Sequence, residues 1–169
     1  MKLYSYIITR DYGFAPNPFP PSCTLATCKP LIRRKAQIGD WVVGIGAKNS
    51  DFKNRLIYAM QVHEKLTFDE YWTDERFKRK RPVMNGSNSL PYGETNLLNY
   101  DRDLSGIYVL ISNRFWYFGE NAIPIPREFL SLANVGRGYR IHRDVEFIIQ
   151  FSDWLSRLPQ EGFLGKPYM

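Results

Sequence analysis

The residues best suited to hold a flat, hydrogen-bonding ligand lie in a Pro-rich segment near the start of the chain, residues 11–22. Its four prolines fix much of the backbone, so we expect an ordered loop that presents polar and aromatic side chains together. Asp and Asn can read the edge of a nucleobase, and Tyr or Phe can stack on its face. With one tryptophan from a later strand, the predicted base pocket contains Arg10, Asp11, Tyr12, Phe14, Asn17 and Trp41. The alternative is a Pro-stiffened crossover that is plugged by aromatic side chains.

Three groups of basic residues favour a partner that carries phosphates. Five of the six residues from 76 to 81 are basic, and shorter groups occupy residues 33–35 and 137–143. Such cations neutralise phosphates without reading sequence, and the formal net charge of +6 agrees with that role. The predicted phosphate ligands are Lys48, Arg79, Lys80, Arg81, Arg137 and Arg140. The expected partner is therefore DNA, RNA or a free nucleotide, although a solvated helix end would also explain the longest group.

Metal chemistry and nucleophilic catalysis are weakly supported by the sequence. Its soft ligands are Cys23, Cys28, His63 and His142, and no pair has zinc-binding spacing. We therefore predict no metal and no cofactor. Neither cysteine lies in a nucleophile motif, and a buried thiol near a pocket is the expected role for either. An enzyme acting on a nucleotide or base, with Asp11 or a cysteine as its reactive group, is one alternative, and a protein-interaction module is another.

The elements that must position these residues follow from local patterns. Periodicity predicts strands at 3–9, 38–46 and 56–62, a hairpin across 106–118, an extended edge at 123–126 and a helix at 143–158. The strands at 38–46 and 56–62 should pair in antiparallel fashion across a basic loop. Thr67 and Glu70 have the spacing of a capping box, which predicts a helix that starts near Phe68.

Length and composition limit the choice of fold. The chain has 169 residues, of which 44% are hydrophobic, so we expect a single domain over residues 1–169. The predicted fold is α+β, with a small, curved, mostly antiparallel β-barrel of about five to seven strands and flanking helices. Residues 83–105 lack periodicity and are predicted to form a long loop or insert. No apolar run is long enough to cross a membrane, so a cytoplasmic location is expected.

Several motifs give the chain a family resemblance. They are YSY at 4–6, RDYGFAPNPF at 10–19, CTLATCKP at 23–30, GDWV at 39–42, RLIYAM at 55–60 and FDEYW at 68–72. On these motifs the chain resembles the nucleotide modification associated domain family, type 2, over nearly its whole length. The resemblance implies an association with modified nucleotides, but it implies no particular reaction and no catalytic residues. Residues 83–105 fit the family pattern least well.

The order of elements in residues 38–72 supports a second, more distant resemblance. A strand, a basic loop, a second strand and a helix follow one another there. This order is similar to that of the PUA-like group, which includes the EVE and ASCH domains. Those domains are small barrels with flanking helices, and several of them read modified bases. The resemblance implies a nucleic-acid-binding module that recognises a modified or flipped base in a pocket.

Overall fold

The structure is a computed structural model that describes residues 1–80 and 100–168. The strands are β1 (Leu3–Ile8), β2 (Cys23–Leu25), β3 (Trp41–Gly46), β4 (Arg55–Gln61), β5 (Glu64–Thr67), β6 (Tyr108–Ser112), β7 (Arg114–Tyr117), β8 (Ile123–Pro124), β9 (Arg140–His142) and β10 (Gly162–Phe163). The α-helices are α1 (Pro30–Lys35), α2 (Phe68–Thr73), α3 (Tyr100–Leu104) and α4 (Val145–Ser156). Three 3-10 helices cover Glu75–Lys80, Gly119–Asn121 and Arg127–Ala133. The α+β prediction is confirmed.

The strands form two sheets. The larger sheet has the order β10-β7-β4-β3-β1-β9, and β8 pairs with β4 beside this path. The smaller sheet has the order β2-β6-β5. β1 pairs with β3 and β10 with β7 in parallel, and the other strand pairings of the described chain are antiparallel. The prediction of a mostly antiparallel arrangement is therefore confirmed.

One long, bent pair of antiparallel strands belongs to both sheets. β4 pairs with β7 through Tyr58↔Tyr117 to Gln61↔Arg114, and β5 pairs with β6 in the same register through Glu64↔Ile111. β6 and β7 are therefore successive parts of one bent strand, and the predicted hairpin across residues 106–118 is wrong. At the bend, the Ser112 hydroxyl donates to the Arg114 carbonyl at 2.6 Å and accepts from the Arg114 N–H at 3.1 Å. These local bonds stabilise a bend between the two strands without a reversal of direction.

The predicted barrel is not confirmed. Within residues 1–80 and 100–168, β9 and β10 each lie at an outer edge of the larger sheet and pair with a single strand. β2 and β5 are likewise the edges of the smaller sheet. Strands that pass from one sheet to the other at a bend give two packed sheets, which need not close into a cylinder.

Most of the local predictions are confirmed. β3 and β4 pair in antiparallel fashion, and α2 begins at Phe68 behind a capping box of Thr67 and Glu70. Residues 100–104 form α3, so the prediction of an unstructured segment is wrong for that part of residues 83–105. Residues 83–99 lie outside the described chain, and the single-domain interpretation stays a prediction. None of the described helices is long and apolar enough to span a membrane.

The two faces of the larger sheet carry different cores. On one face, Trp41 and Trp116 pack against α4 and the 3-10 helix Arg127–Ala133. The other face carries a row of directly paired residues, which we call the aromatic row: Tyr6, Gly44, Tyr58, Tyr117 and Phe163. Because Gly44 has no side chain, the Tyr6 and Tyr58 rings meet above β3, and their hydroxyls lie 2.9 Å apart.

A side chain at position 44 should destabilise the fold. A Cβ at this position would collide with the side chains of Ile8 and Tyr58, and both of these residues are buried. We expect Gly44→Ala to lower the free energy of unfolding by about 1–3 kcal/mol, as overpacking of a core does. Gly136→Ala is the matched control because nothing lies within 4 Å of its added Cβ. Urea denaturation measures both variants, and equal stabilities would contradict the packing of the aromatic row.

Candidate functional site

The topology brings several loops together at one end of the larger sheet. β1 and β3 are parallel, and so are β7 and β10, while β4 runs opposite to both β3 and β7. β1, β3, β7 and β10 therefore all end on the same side, which we call the carboxyl end. The segments that follow them are residues 9–22, 47–54, 118–121 and 164–168. β9 is antiparallel to β1, so residues 134–139 approach this end as well.

A buried carboxylate fastens the Pro-rich loop to the aromatic row. The Tyr117 hydroxyl donates to Asp11 Oδ2 at 2.6 Å, and the Gly13 N–H donates to Oδ1 at 3.0 Å. Burial raises the pKa of Asp11, and these two hydrogen bonds partly offset that rise. Asp11 is only 2% exposed. The carboxylate therefore positions the loop. A side chain that reads a base directly would present its oxygens to solvent, and Asp11 does not.

A buried ammonium group holds the other half of the same loop. Lys80 Nζ donates to the Asn17 carbonyl at 2.9 Å, to Asn17 Oδ1 at 3.0 Å and to the Ser22 carbonyl at 2.5 Å. Burial lowers the pKa of Lys80 to about 8, so it is still mainly protonated at neutral pH. Lys80 is thus a buried loop anchor, which corrects its predicted role as a surface phosphate ligand. Asn17 belongs to the same anchor.

Trp41 does not join the other predicted pocket residues. It has no exposed surface, and its ring packs against Trp116 and Phe151 on the face opposite the aromatic row. A base cannot stack on Trp41 unless this core opens. Residues 9–22, which follow β1 at the carboxyl end, contain the remaining pocket candidates: Arg10, Tyr12, Phe14 and Asn17.

The predicted phosphate ligands divide in a similar way. Lys48, Arg137 and Arg140 are exposed and lie on segments that lead to the carboxyl end, where Arg140 also donates to the Asn134 carbonyl at 3.2 Å. Arg79 is exposed in the 3-10 helix Glu75–Lys80, whose last residue, Lys80, contacts the Pro-rich loop at Asn17 and Ser22. Arg81 lies outside the described residues.

Much of the longest basic group is already paired. Arg76 binds the carboxylates of Glu64 and Asp74 at 2.9 and 2.6 Å, and Lys78 lies 3.7 Å from Glu75. The charges of this group are therefore partly neutralised by the protein itself. This weakens its case as a phosphate site relative to the carboxyl end.

The structure adds cations that the sequence did not single out as ligands. Lys29 Nζ lies 4.7 Å from the centre of the Tyr6 ring and donates to the Gly138 carbonyl at 3.4 Å. Lys35 Nζ lies 2.9 Å from the Tyr139 hydroxyl. The α1 segment and the loop before β9 therefore meet near one end of the aromatic row. The only sequence signal for this contact was that both segments are basic.

A buried guanidinium fixes the turn that carries Lys29. Arg33 has no exposed surface, and it donates to three main-chain carbonyls, those of Cys28, Asp103 and Tyr108. The guanidinium packs so closely on Gly106 that an added Cβ there would collide with it. Cys28 and Lys29 have φ angles of 57° and 42°, in the left-handed region that side chains other than glycine seldom adopt. Arg33 thus stabilises a strained turn.

Of the groups considered for chemistry, Cys23 and His142 are buried, whereas Cys28 is exposed. Burial raises the pKa of Cys23 to about 12, so this thiol stays protonated at neutral pH and is a poor nucleophile. Ser5 Oγ lies 3.1 Å from His142 Nε2, but Ser5 has no exposed surface to offer a substrate. Burial lowers the pKa of His142 to about 4, which keeps its ring neutral. Among residues 1–80 and 100–168, no group of three or more potential ligands is placed to hold a metal ion.

A surface depression lies away from the carboxyl end. It has a volume of about 220 Å³ and is lined by Trp116, Ser156, Leu158, Pro159, Gln160 and Glu161. Most of these residues precede β10, so they belong to the opposite end of the sheet, and Trp116 points away from the aromatic row. The depression therefore shares no residues with the predicted base pocket.

Comparison with known proteins matches the chain to a family. A family model described as nucleotide modification associated domain 2 matches residues 1–95 and residues 87–169. The two matches overlap and together cover the whole chain. No protein of curated function and no solved structure matches it.

The hydrogen bond between Tyr117 and Asp11 predicts a pH-dependent change in stability. Tyr117→Phe leaves one oxygen of a buried carboxylate without its donor, so we expect a loss of about 1–3 kcal/mol near pH 7. The raised pKa of Asp11 means that folding favours the protonated acid, so its contribution to stability is present below its ordinary pKa and is lost as the pH rises through the folded value. The lost donor raises that pKa further. The variant should therefore be less impaired near pH 4 than near pH 7, as measured by urea denaturation.

Two controls separate this effect from a general loss of packing. Tyr58→Phe removes the hydrogen bond to Tyr6, which involves no carboxylate, so its cost should change little between the two pH values. In an Asp11→Asn background, the pH dependence of Tyr117→Phe should disappear. An equal cost of Tyr117→Phe at both pH values would show that Asp11 is not the coupled group.

Proposed function

Because this chain belongs to the nucleotide modification associated domain 2 family, we propose that it binds a nucleotide or a nucleic acid at the carboxyl end of its larger sheet. The proposal combines the family's association with nucleotides and the positions of the loops that the topology gathers there. Phosphates are held by exposed cations, and the base is recognised beside the Pro-rich loop. DNA, RNA and a free nucleotide all carry the required chemistry.

The observation that carries the proposal is the convergence of exposed cations at this end. Arg10, Lys48, Arg137 and Lys166 come from four separate segments, and all four side chains are exposed. None of them forms an ion pair with another described residue. Two exposed acids, Asp51 and Glu120, share these segments, so the balance is positive. Cations on several loops can contact successive phosphates.

Recognition of a modified or flipped base is the finer part of the proposal. The Pro-rich loop is held at both halves, by Tyr117 on Asp11 and by Lys80 on Asn17. A loop fixed before the ligand arrives loses less entropy on binding. In this arrangement Asp11 positions the loop, and the neighbouring side chains of Arg10, Tyr12 and Phe14 meet the base.

Neutralising the cations at the carboxyl end should reduce the salt dependence of binding. For the double variant Lys48→Gln and Arg137→Gln, we expect weaker binding to a single-stranded oligonucleotide. The slope of log affinity against log salt should fall by about 0.7 for each phosphate that the variant no longer neutralises. Fluorescence anisotropy between about 50 and about 200 mM salt measures this slope.

The matched control makes the same change of charge in the basic 3-10 helix. Lys78→Gln with Arg79→Gln removes two exposed cations from the 3-10 helix Glu75–Lys80. Its slope should remain that of the wild type. If only this control variant loses the salt dependence, the phosphates bind the basic helix and our placement is wrong. Wild-type binding that is insensitive to salt would show that phosphates are not the main partner.

A screen of modified bases tests the finer part of the proposal. Oligonucleotides of one sequence, each with a different modified base at the same position, should bind the wild type with different affinities. Because these oligonucleotides share their phosphates, any difference reports on the base alone. Tyr12→Ala and Phe14→Ala should reduce the difference while the salt-sensitive binding remains. Equal affinity for every oligonucleotide would refute base recognition, and mass spectrometry of the same mixtures would reveal any turnover.

A further inference from the structure

Two exposed phenylalanine rings lie side by side at the carboxyl end. Phe19 in the Pro-rich loop and Phe163 at the end of β10 are each 42% exposed. Their ring centres are 5.3 Å apart and their planes are inclined by 36°. The two residues are far apart in the chain and come together only in the fold. We call this pair the phenylalanine platform.

The platform continues the aromatic row from the interior to the surface. Phe163 stacks on Tyr117 with ring centres 5.6 Å apart and planes within 10° of parallel. Tyr117 is itself fixed by its hydrogen bond to Asp11. The Phe19 ring lies against Gly13, where an added Cβ would come within 3.1 Å of it. The rings are therefore supported from below, and their outer surfaces face solvent.

We propose that the phenylalanine platform stacks on an unpaired nucleobase, an inference that rests on the proposed function. Aromatic side chains bind successive bases of single strands because every base has a π-face. Arg10 is an exposed cation in the segment that carries Phe19, and Lys166 is an exposed cation in the segment that follows Phe163. Both complement the negative charge of a nucleic-acid backbone. The ligand class is single-stranded DNA or RNA, or a base extruded from a duplex.

The composition of the surface favours a nucleobase over an apolar protein segment. The other large apolar side chains that are highly exposed in the described chain are Met1, Leu31, Ile38, Trp72, Leu104, Ile107, Leu130, Val145 and Ile149. None of them belongs to the segments that follow β1, β3, β7 or β10. The platform is thus a small aromatic surface with exposed cations on neighbouring segments, and it is not part of a larger patch of highly exposed aliphatic side chains. A paired base hides its faces in the duplex stack, so single strands should bind better than duplexes of the same length.

Leucine substitutions test the platform in the full chain. Phe19→Leu and Phe163→Leu keep apolar bulk but remove the ring, and Phe19→Tyr keeps the ring. The probes are a fluorescein-labelled oligothymidine and a labelled duplex of equal length. We expect each leucine variant to bind the single strand about 5- to 100-fold more weakly, as loss of one stacking partner does. Its salt slope and its duplex binding should be unchanged, and Phe19→Tyr should bind like the wild type.

Ile38→Ala is the control for loss of an exposed apolar side chain, because Ile38 is 68% exposed and lies elsewhere. It should bind both probes like the wild type. If the wild type binds the single strand and the folded leucine variants bind it equally well, the platform is refuted while the proposed function stands. Equal loss of single-strand and duplex binding also refutes stacking. If the wild type binds neither probe nor a free nucleotide, both proposals fail.

Discussion

The rest of the structure depends on the continuous register of the bent strand pair, in which β4 pairs with β7 and β5 pairs with β6. The same pairing runs from Tyr58↔Tyr117 in the larger sheet to Thr67↔Tyr108 in the smaller one. Because side chains alternate along a strand, a slip of one residue would exchange the two faces of β7. Trp116 would then replace Tyr117 in the aromatic row, and Asp11 would lose its donor. The position of the Pro-rich loop therefore follows from a backbone pairing in the middle of the chain.

Local signals in the sequence predicted the elements that depend on local physics. The alternation of β3 and β4 and the Thr67 cap of α2 are each determined by neighbouring residues, and the structure has both. The periodic apolar positions of α4 were sufficient for the same reason. The bend at Asn113 was not predictable in this way. A polar residue between two apolar runs is typical of a tight turn as well as of a bend, and the partner strand decides between them.

The candidate site shows the same division between local and long-range information. The sequence grouped Asp11, Asn17 and Lys80 with surface ligands because polar side chains are usually exposed. The burial of Asp11 and Lys80 depends on partners that are distant in the chain, which are Tyr117 for Asp11 and the Pro-rich loop for Lys80. Trp41 was grouped with the Pro-rich loop because alternation gives two faces of a strand without saying which one that loop contacts. Lys48 and Arg137 stayed on the surface at the carboxyl end, where no described carboxylate neutralises them.

The packing of Arg33 on Gly106 has a consequence for how this chain can vary in evolution. The guanidinium occupies the space that a side chain at position 106 would need, and its three acceptors are main-chain carbonyls that every residue type supplies. Substitutions at Arg33 and Gly106 are therefore sterically coupled, while Cys28 and Tyr108 can change without loss of these main-chain bonds. Homologous chains with a larger residue at 106 should carry a smaller one at 33, together with a glycine or asparagine in the strained turn that Arg33 no longer holds.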